Sequence, residues 1–190
     1  MKKSLFCVLF VLIVSVGAYA QLSAGVSSGV TFSFEDSSAL KGYSERKAGF
    51  PFLAQVGYTL PVAFDVPTGS THIIVGGRFG YENLWAFKND AENTKVGLWT
   101  LPLNVFGRLE SGFFYVDIGL GIHIWFLPYL DNGIDVGENG VGFSSKVSSG
   151  VKYTLREKID LHGGLVFNTF RLIKTYTNTM GINIGVVYTF

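Results

Sequence analysis

The sequence lacks most of the features that hold together a soluble exported domain or mark a helical membrane protein. Cys7 is its only cysteine, so a disulfide framework within the chain is excluded. After residue 20 no apolar run is long enough to cross a membrane as a helix. Charge of one sign is also not in excess, because the formal net charge is +1 over 190 residues. That balance argues against a nucleic-acid partner.

The first 20 residues are predicted to be a cleaved secretory signal peptide. A basic start, Met1-Lys2-Lys3, precedes an apolar run from Leu5 to Val16 and a small-x-small cleavage site, Ala18-Tyr19-Ala20. We therefore divide the chain into residues 1–20, the signal peptide, and residues 21–190, a single domain. An exported domain without disulfides needs another source of stability, which a closed, fully hydrogen-bonded barrel in lipid supplies.

Aromatic residues and glycine are abundant, with 17 Phe, 9 Tyr and 24 Gly, and apolar residues recur at every second position. Period-two alternation indicates strands with one apolar face. The pattern predicts eight strands, and the last runs to the end of the chain: Leu22–Phe34, Phe50–Leu60, His72–Trp85, Lys95–Leu109, Phe113–Phe126, Val141–Leu155, Ile159–Phe170 and the segment ending at Phe190. The expected fold is an all-β, eight-stranded, antiparallel, up-and-down transmembrane barrel.

Alternation alone leaves open which face is outside, because a soluble barrel of the lipocalin kind points its apolar stripe inward. Two observations favour the lipid-facing reading. Aromatic side chains fall at both ends of the predicted strands, as at two membrane interfaces: Phe34, Phe50, Trp85, Trp99, Phe126 and Phe143 at one end, and Tyr58, Phe114, Tyr153, Tyr188 and Phe190 at the other. The opposite stripe carries charged residues, which are a poor lining for a hydrophobic ligand.

The predicted connections alternate in length. The longer loops are Glu35–Gly49, Ala86–Thr94, Leu127–Asn139 and Arg171–Asn178, and the tight turns lie at residues 110–112 and 156–158. The linker Pro61–Ser70 is longer than a turn on the short side of such a barrel should be. This plan places the termini and short turns in the periplasm and the long loops outside the cell.

The carboxyl end ties the pattern to a known group of proteins. Ile182, Ile184, Val186, Tyr188 and Phe190 occupy alternate positions, and the chain ends on Phe. In this respect it resembles the small eight-stranded β-barrels of bacterial outer membranes, of the outer membrane protein X and outer membrane protein W types. The resemblance implies location in the outer membrane, contact with its lipid, and recognition of Tyr188 and Phe190 by the barrel-insertion machinery. We expect a monomer.

The inward charges are the one constellation that could carry chemistry. They form the predicted lumen charge network, which we expect to be a structural set of paired groups: Arg78, Glu82, Arg108, Asp117, Lys146, Lys152, Asp160 and His162. An eight-stranded barrel has an interior just wide enough for side chains, and buried charges must be paired. Inward glycines, at positions 76, 80, 119, 121, 142, 150 and 164, would make room for Arg78, Phe106 and Trp125.

Catalytic, cofactor and metal sites are not expected. The outward stripe offers Ser28, Ser145, Ser149 and Asn83 but no His or carboxylate for a lipid-directed Ser-His-acid set. His72, His123 and His162 fall in the inward register on three different strands without sulfur ligands, which is weak support for a metal. The sequence also contains no G-x-S-x-G, no H-E-x-x-H and no phosphate-binding glycine loop.

Two functional readings follow. The first is a non-enzymatic barrel with a packed, charge-paired lumen and a structural or surface-interaction role, its loops at residues 35–47 and 127–135 available to a host or surface ligand. The alternative is a narrow channel for small hydrophobic molecules. Pro102 lies within the fourth strand, where it cannot donate a ladder hydrogen bond. Together with Pro51, it could mark a lateral opening like that thought to exist in barrels of the outer membrane protein W type.

Overall fold

The computed structural model describes residues 21–33, 44–46, 48–66, 69–89, 94–127, 130–131, 134–135, 138–172 and 175–190. Eleven strands lie in these ranges: β1 Leu22–Ser33, β2 Ser44–Arg46, β3 Ala48–Val66, β4 Gly69–Asn89, β5 Thr94–Ser111, β6 Phe114–Leu127, β7 Leu130–Asp131, β8 Ile134–Asp135, β9 Glu138–Arg156, β10 Ile159–Leu172 and β11 Thr175–Thr189. The predicted signal peptide and much of the first and third loops fall outside the described residues.

Eight of these strands close into a barrel. The antiparallel neighbours run β4-β3-β1-β11-β10-β9-β6-β5, and β5 pairs back with β4. Short β2 adds to β4 beyond the barrel, and β7 pairs with β8 as a separate ribbon. The predicted all-β, eight-stranded transmembrane barrel is confirmed.

The strand register gives the barrel its tilt. Starting from Ser23 and following paired residues once around, the circuit returns to β1 at Ser33, ten residues farther along, after passing through Gly57, Gly76, Phe106, Gly119, Lys146, Asn168 and Thr179. A stagger of this kind is what tilts the strands of a closed barrel. All the residues of this row point inward, and three of them are glycines, so the lumen has space for the Phe106 ring.

The start of β1 and the carboxyl end lie together at the end of the barrel that has the short turns. The backbone N–H of Phe190 donates to the carbonyl of Leu22 at 2.9 Å, and that of Thr189 donates to the carbonyl of Lys158, in the β9–β10 turn, also at 2.9 Å. In the β5–β6 turn Gly112 has a φ of 58°, a left-handed conformation that glycine adopts without strain. The β1–β11 ladder that joins the first and last described strands is paired from Ser23 opposite Thr189 to Ser33 opposite Thr179.

The strands extend beyond the predicted limits in several places. Residues predicted as loop are strand at Ala86–Asn89, Glu138–Asn139, Arg171–Leu172 and Thr175–Asn178. The predicted linker Pro61–Ser70 was wrong as a loop, because β3 continues to Val66 and β4 starts at Gly69. Pairing resumes at Ala63 opposite His72 after a register shift that follows Thr59. This bulge absorbs Pro61, which has no N–H to donate to a ladder.

The outer surface of the barrel is apolar. Outward side chains such as Val105 (70% exposed), Ile184 (67%) and Leu165 (58%) would be unusual on a soluble protein, whereas lipid accommodates them. Exposed aromatics lie toward both rims, including Phe50, Trp99 and Phe143 at the loop end and Phe114, Tyr153, Tyr188 and Phe190 at the turn end. The side chains of Phe34 and Trp85 lie outside the described residues. Within the described part of the chain no helix is long and apolar enough to span a membrane.

Candidate functional site in the barrel lumen

Asp117 is the centre of the charged lumen. Its side chain is 0% exposed, and the register places it on β6 directly opposite Arg108 of β5. Arg78 of β4 donates to both carboxylate oxygens, with Nη2 at 2.6 Å from Oδ2 and Nη1 at 3.2 Å from Oδ1. Arg108 donates to Oδ2 from Nη2 at 3.1 Å and from Nε at 3.2 Å. One carboxylate therefore receives four charge-assisted hydrogen bonds from two guanidinium groups.

Aromatic rings and an amide complete the surroundings of both arginines. The Cζ atom of Arg78 lies 4.6 Å from the Phe106 ring centre, and that of Arg108 lies 5.1 Å from the Tyr115 ring centre. These distances are in the range of cation–π attraction. Gln55 of β3 accepts from Nη2 of both arginines at 3.3 Å. Arg108 also approaches Nδ1 of His162, on β10, at 3.3 Å. The guanidinium of Arg108 thus contacts side chains from several different strands.

The second cluster is built around Glu110, a residue that the sequence reading assigned to a turn and left out of the network. Glu110 is buried and accepts from Lys152 Nζ at 2.6 Å. Its other oxygen lies 3.6 Å from Nη1 of Arg108 and 4.0 Å from Nε2 of His162. Lys152 stands opposite His162 in the register, yet its charge pairs with Glu110. Glu110 follows Arg108 by two positions, so the two side chains share the inward face of β5. This spacing is the signal in the sequence that could have identified Glu110 as a member of the network.

The remaining members of the predicted network are placed differently. Arg78 and Glu82 share one face of β4, but Arg78 pairs with Asp117, while Glu82 accepts a hydrogen bond from Thr31 at 3.4 Å. Lys146 is buried and interacts electrostatically with Glu82 and Asp117 at longer range. Asp160 lies near the mouth at the turn end, where it accepts a hydrogen bond from the exposed Thr154 at 2.6 Å. Asp160 is therefore peripheral to the central cluster.

The half of the lumen nearer the loops carries few charges. Leu53, Trp125 and Phe170 are buried there, and the His123 ring packs edge-on against Phe170 at 5.2 Å between ring centres. Trp125 stands opposite Gly140, where an added Cβ would lie 2.3 Å from the indole. Gly140 was missing from the predicted set of space-making glycines, whereas Gly76 makes room for Phe106 as its place in that set implies.

Pairing between β4 and β5 is interrupted beside Pro102. The ladder pairs Phe79 with Leu103 and Glu82 with Thr100, with no pair between these positions, all of which the structure describes. On its other side β5 keeps an unbroken register, in which Pro102 stands opposite His123 of β6. A proline in a strand interior removes a ladder donor, and here one seam of the barrel shows the gap. A register shift between Asn83 and Trp85 follows on the same seam.

Among the residues that the structure describes, no three His, Cys, Asp or Glu side chains come close enough together to hold a metal ion. His162 is in the charged half, His123 in the apolar half, and His72 lies near the turn end of β4, opposite Ala63 and Glu110. Ser28 uses its hydroxyl to donate to the carbonyl of Pro51 at 2.9 Å.

A closed antiparallel barrel with an apolar outer face, rims of aromatic side chains and a polar lumen defines a transmembrane β-barrel of the bacterial outer membrane. Residues 6–190 match the outer membrane protein beta-barrel domain family. The chain belongs to that family.

Solved structures share this fold at low sequence identity. Ail, the attachment invasion locus protein of Yersinia pestis, in complex with the heparin analogue sucrose octasulfate, is 12% identical with a TM-score of 0.54, and the match covers 90% of this chain and 97% of that one. A second structure of Ail is 13% identical with a TM-score of 0.50 and the same coverages. Neisserial surface protein A is 13% identical with a TM-score of 0.48, again with coverages of 90% and 97%. No curated protein matches the sequence.

Proposed function

We propose that this chain is a non-enzymatic outer-membrane scaffold whose lumen is closed by paired side chains and whose loops face the cell exterior. The observation that carries the proposal is that Arg108 contacts side chains of three other strands across the lumen. Its side chain contacts Asp117 on β6, Gln55 on β3 and His162 on β10. Such a chain of contacts across the interior is what a filled eight-stranded lumen requires. The cavity beside it measures only about 20 Å³, which is room for about one water molecule.

The test of a closed lumen is electrical. Residues 21–190, refolded and inserted into planar bilayers, should give no discrete conductance steps, while protease protection of the strands confirms insertion. A variant that removes both side chains bridging the lumen, Arg78→Ala with Arg108→Ala, serves as the opened comparison. Discrete steps from the unaltered protein, abolished or changed by mutation at Arg78, would overturn the closed lumen and make transport the leading function.

Surface interaction is the role that we propose for the scaffold. Ail was solved with a heparin analogue, but its 12% identity to this chain conveys the fold alone, so sucrose octasulfate enters only as a first probe. Replacing residues 35–47 with a short Gly/Ser segment should abolish any ligand binding while the barrel remains folded. The lumen variant Asp160→Asn should bind as the unaltered protein does. Binding that follows the lumen variant and ignores the loop would contradict this role.

A lateral channel is the second candidate, favoured by the pairing gap beside Pro102 and by the apolar side chains at that level, Leu53, Trp125 and Phe170. If the gap passes small hydrophobic molecules into the bilayer, liposomes containing the protein should take up a hydrophobic dye faster than empty ones. Pro102→Val restores a ladder donor and should suppress that uptake. Equal uptake by both proteins and by empty liposomes would exclude the channel.

For partners, we propose lipid around the outer face and the barrel-insertion machinery at the carboxyl end. The rings of Tyr188 and Phe190 pack edge-on with centres 5.0 Å apart on the outer surface. They are therefore accessible to another protein before the barrel is surrounded by lipid. Phe190→Ser should slow assembly in cells while leaving refolding into detergent nearly unchanged. If both processes were slowed equally, Phe190 would have a role in folding alone.

A further inference from the structure

The outer face of the barrel carries a polar strip at the loop end of β9, β10 and β11. Thr169 of β10 stands opposite Ser145 of β9 and Asn178 of β11 in the strand register, and all three side chains are half-buried at outward positions. Arg171 follows Thr169 by two positions on the same face of β10 and is exposed. These four residues are the polar strip, and they lie where other strands of the barrel present aromatic rings to the lipid.

Arg171 is a charge on a face that is otherwise uncharged. It is the only charged residue at the outward positions from 139 to 153 of β9, 161 to 171 of β10 and 178 to 188 of β11, and no carboxylate occurs among them. Arg171 stands one residue before the end of β10, so it lies at the membrane interface and not in the hydrocarbon. A cation at that depth is tolerated because lipid headgroups and water surround it.

Hydrogen-bond donors predominate on the polar strip. The hydroxyl of Thr169 donates to Oδ1 of Asn178 at 2.9 Å, so the amide oxygen is used within the strip while the amide nitrogen still carries N–H donors. The guanidinium of Arg171 can only donate, and Ser145 adds a hydroxyl. A surface of this composition suits an anion with several acceptor oxygens, and a guanidinium can meet two oxygens of one phosphate at once.

The same three strands are apolar on the turn side of the polar strip. Phe167 of β10 stands opposite Val147 of β9 and Met180 of β11, and all three side chains are exposed on the outer face. Farther along β10, a Cβ added to Gly163 would meet nothing within 4 Å, so the apolar surface is shallow there. A headgroup held at the strip would therefore have its acyl chains against an apolar surface, which a free anion could not use.

We propose that the polar strip binds the phosphate-bearing headgroup of one outer-leaflet lipid, with Arg171 as its counter-charge. The inference rests on the proposed lipid contact of the outer face and deepens it by naming the headgroup chemistry. A second copy of the chain fits less well, because a two-fold interface would bring the strip against itself, and this part of the outer face has no carboxylate to receive Arg171. The site does not depend on whether the lumen is closed.

The test measures which lipid the protein retains. Residues 21–190 are reconstituted in liposomes of equimolar phosphatidylcholine and phosphatidic acid, extracted into detergent and examined by native mass spectrometry. The unaltered protein should retain phosphatidic acid in preference, and Arg171→Gln should lower the ratio of the two retained lipids about tenfold. Arg156→Gln is the matched control, because it removes an exposed arginine at the turn end of β9, and it should keep the ratio. No preference in the unaltered protein, or equal losses in both variants, would overturn the site.

Further arms separate the other occupants. The double variant Thr169→Val with Asn178→Leu keeps the charge and removes the neutral donors, so it should also lower the ratio; an unchanged ratio would reduce the effect to general charge attraction and overturn the strip as a site. Displacement of the lipid by excess inorganic phosphate would indicate a site for a free anion, and cross-linked dimers lost in Arg171→Gln would indicate a second copy; either would overturn the proposal. Insertion into phosphatidylcholine alone reports the general lipid contact, so lost preference with normal insertion would contradict the headgroup site alone.

Discussion

Replacing Asp117 by asparagine should be among the most destabilising single changes in the lumen. The substitution keeps the size of the side chain and removes its charge. In the native structure Asp117 is fully buried and accepts four hydrogen bonds from Arg78 and Arg108. Asparagine has one acceptor oxygen, and its amide nitrogen would face a guanidinium. Two buried arginines would then lose their shared counter-charge.

The expected loss follows from the cost of leaving a buried charge unpaired. Removing one partner of a buried ion pair costs about 3–5 kcal/mol. Arg78 and Arg108 are only 5% and 6% exposed, so water cannot readily replace the carboxylate. We therefore expect Asp117→Asn to lower the free energy of unfolding by about 3–5 kcal/mol, with the upper part of the range favoured because two cations are affected.

The assay is equilibrium unfolding in urea, followed by tryptophan fluorescence of residues 21–190 in detergent micelles or liposomes. Asp160→Asn is the matched control, because it makes the same chemical change in the same inward register at the mouth. Asp160 has one described hydrogen bond, from an exposed Thr154, so its loss should be about 1 kcal/mol or less. If the two variants were equally stable, the reasoning that the lumen depends on paired charges would be refuted.

Two further predictions concern the walls of the barrel. On β4, Gly76→Ala should lower the free energy of unfolding by about 1–3 kcal/mol, because the added Cβ would lie 2.1 Å from the Val56 carbonyl oxygen and 2.8 Å from the Phe106 ring. The control is the adjacent, outward Gly77→Ala, whose Cβ would meet nothing within 4 Å and which should change that free energy by about 0.5 kcal/mol or less. The urea midpoints of the two variants would show the difference. Midway along β6, Leu120→Arg on the lipid face should lower the free energy of unfolding in liposomes by about 2–4 kcal/mol. Leu155→Arg, near the β9–β10 turn, should lower it much less. Equal decreases for the two variants would contradict the placement of β6 in the hydrocarbon.

Much of the fold could be predicted from the sequence because a strand has a simple period. On β6 the alternation from Phe114 to Phe126 is unbroken, and each of these residues has the expected face. The errors occur where the period carries no information. Past Leu60 a bulge shifts the register of β3 against β4, and Pro61 there suggested a loop. Near the loop end, β9 begins at Glu138, before the predicted start at Val141, because residues 138–140 have no apolar side chain to continue the period.

The lumen was only partly predictable. Parity identifies which charges point inward, and the β5–β6 turn places Arg108 opposite Asp117. Pairing across the lumen depends on the stagger of the whole barrel, which the order of residues in one strand does not reveal. This is why Glu110 was overlooked as the partner of Lys152, and why Gly140 was overlooked as the space for Trp125. Glu110 also closes a short turn, where a charged residue is ordinarily solvated.

The most direct measurement of a closed lumen is the reactivity of single cysteines placed inside it. Residues 21–190 contain no cysteine, so each engineered thiol is the only target. Ser148 is 3% exposed and points inward in the middle of β9, while Thr154 is exposed on the same face of the same strand near the mouth. In proteoliposomes treated with a small, charged, membrane-impermeant thiol reagent, we predict that Ser148→Cys remains unmodified while Thr154→Cys reacts. Modification of Ser148→Cys at a rate similar to that of Thr154→Cys would show a water-filled passage and contradict the closed, charge-paired interior.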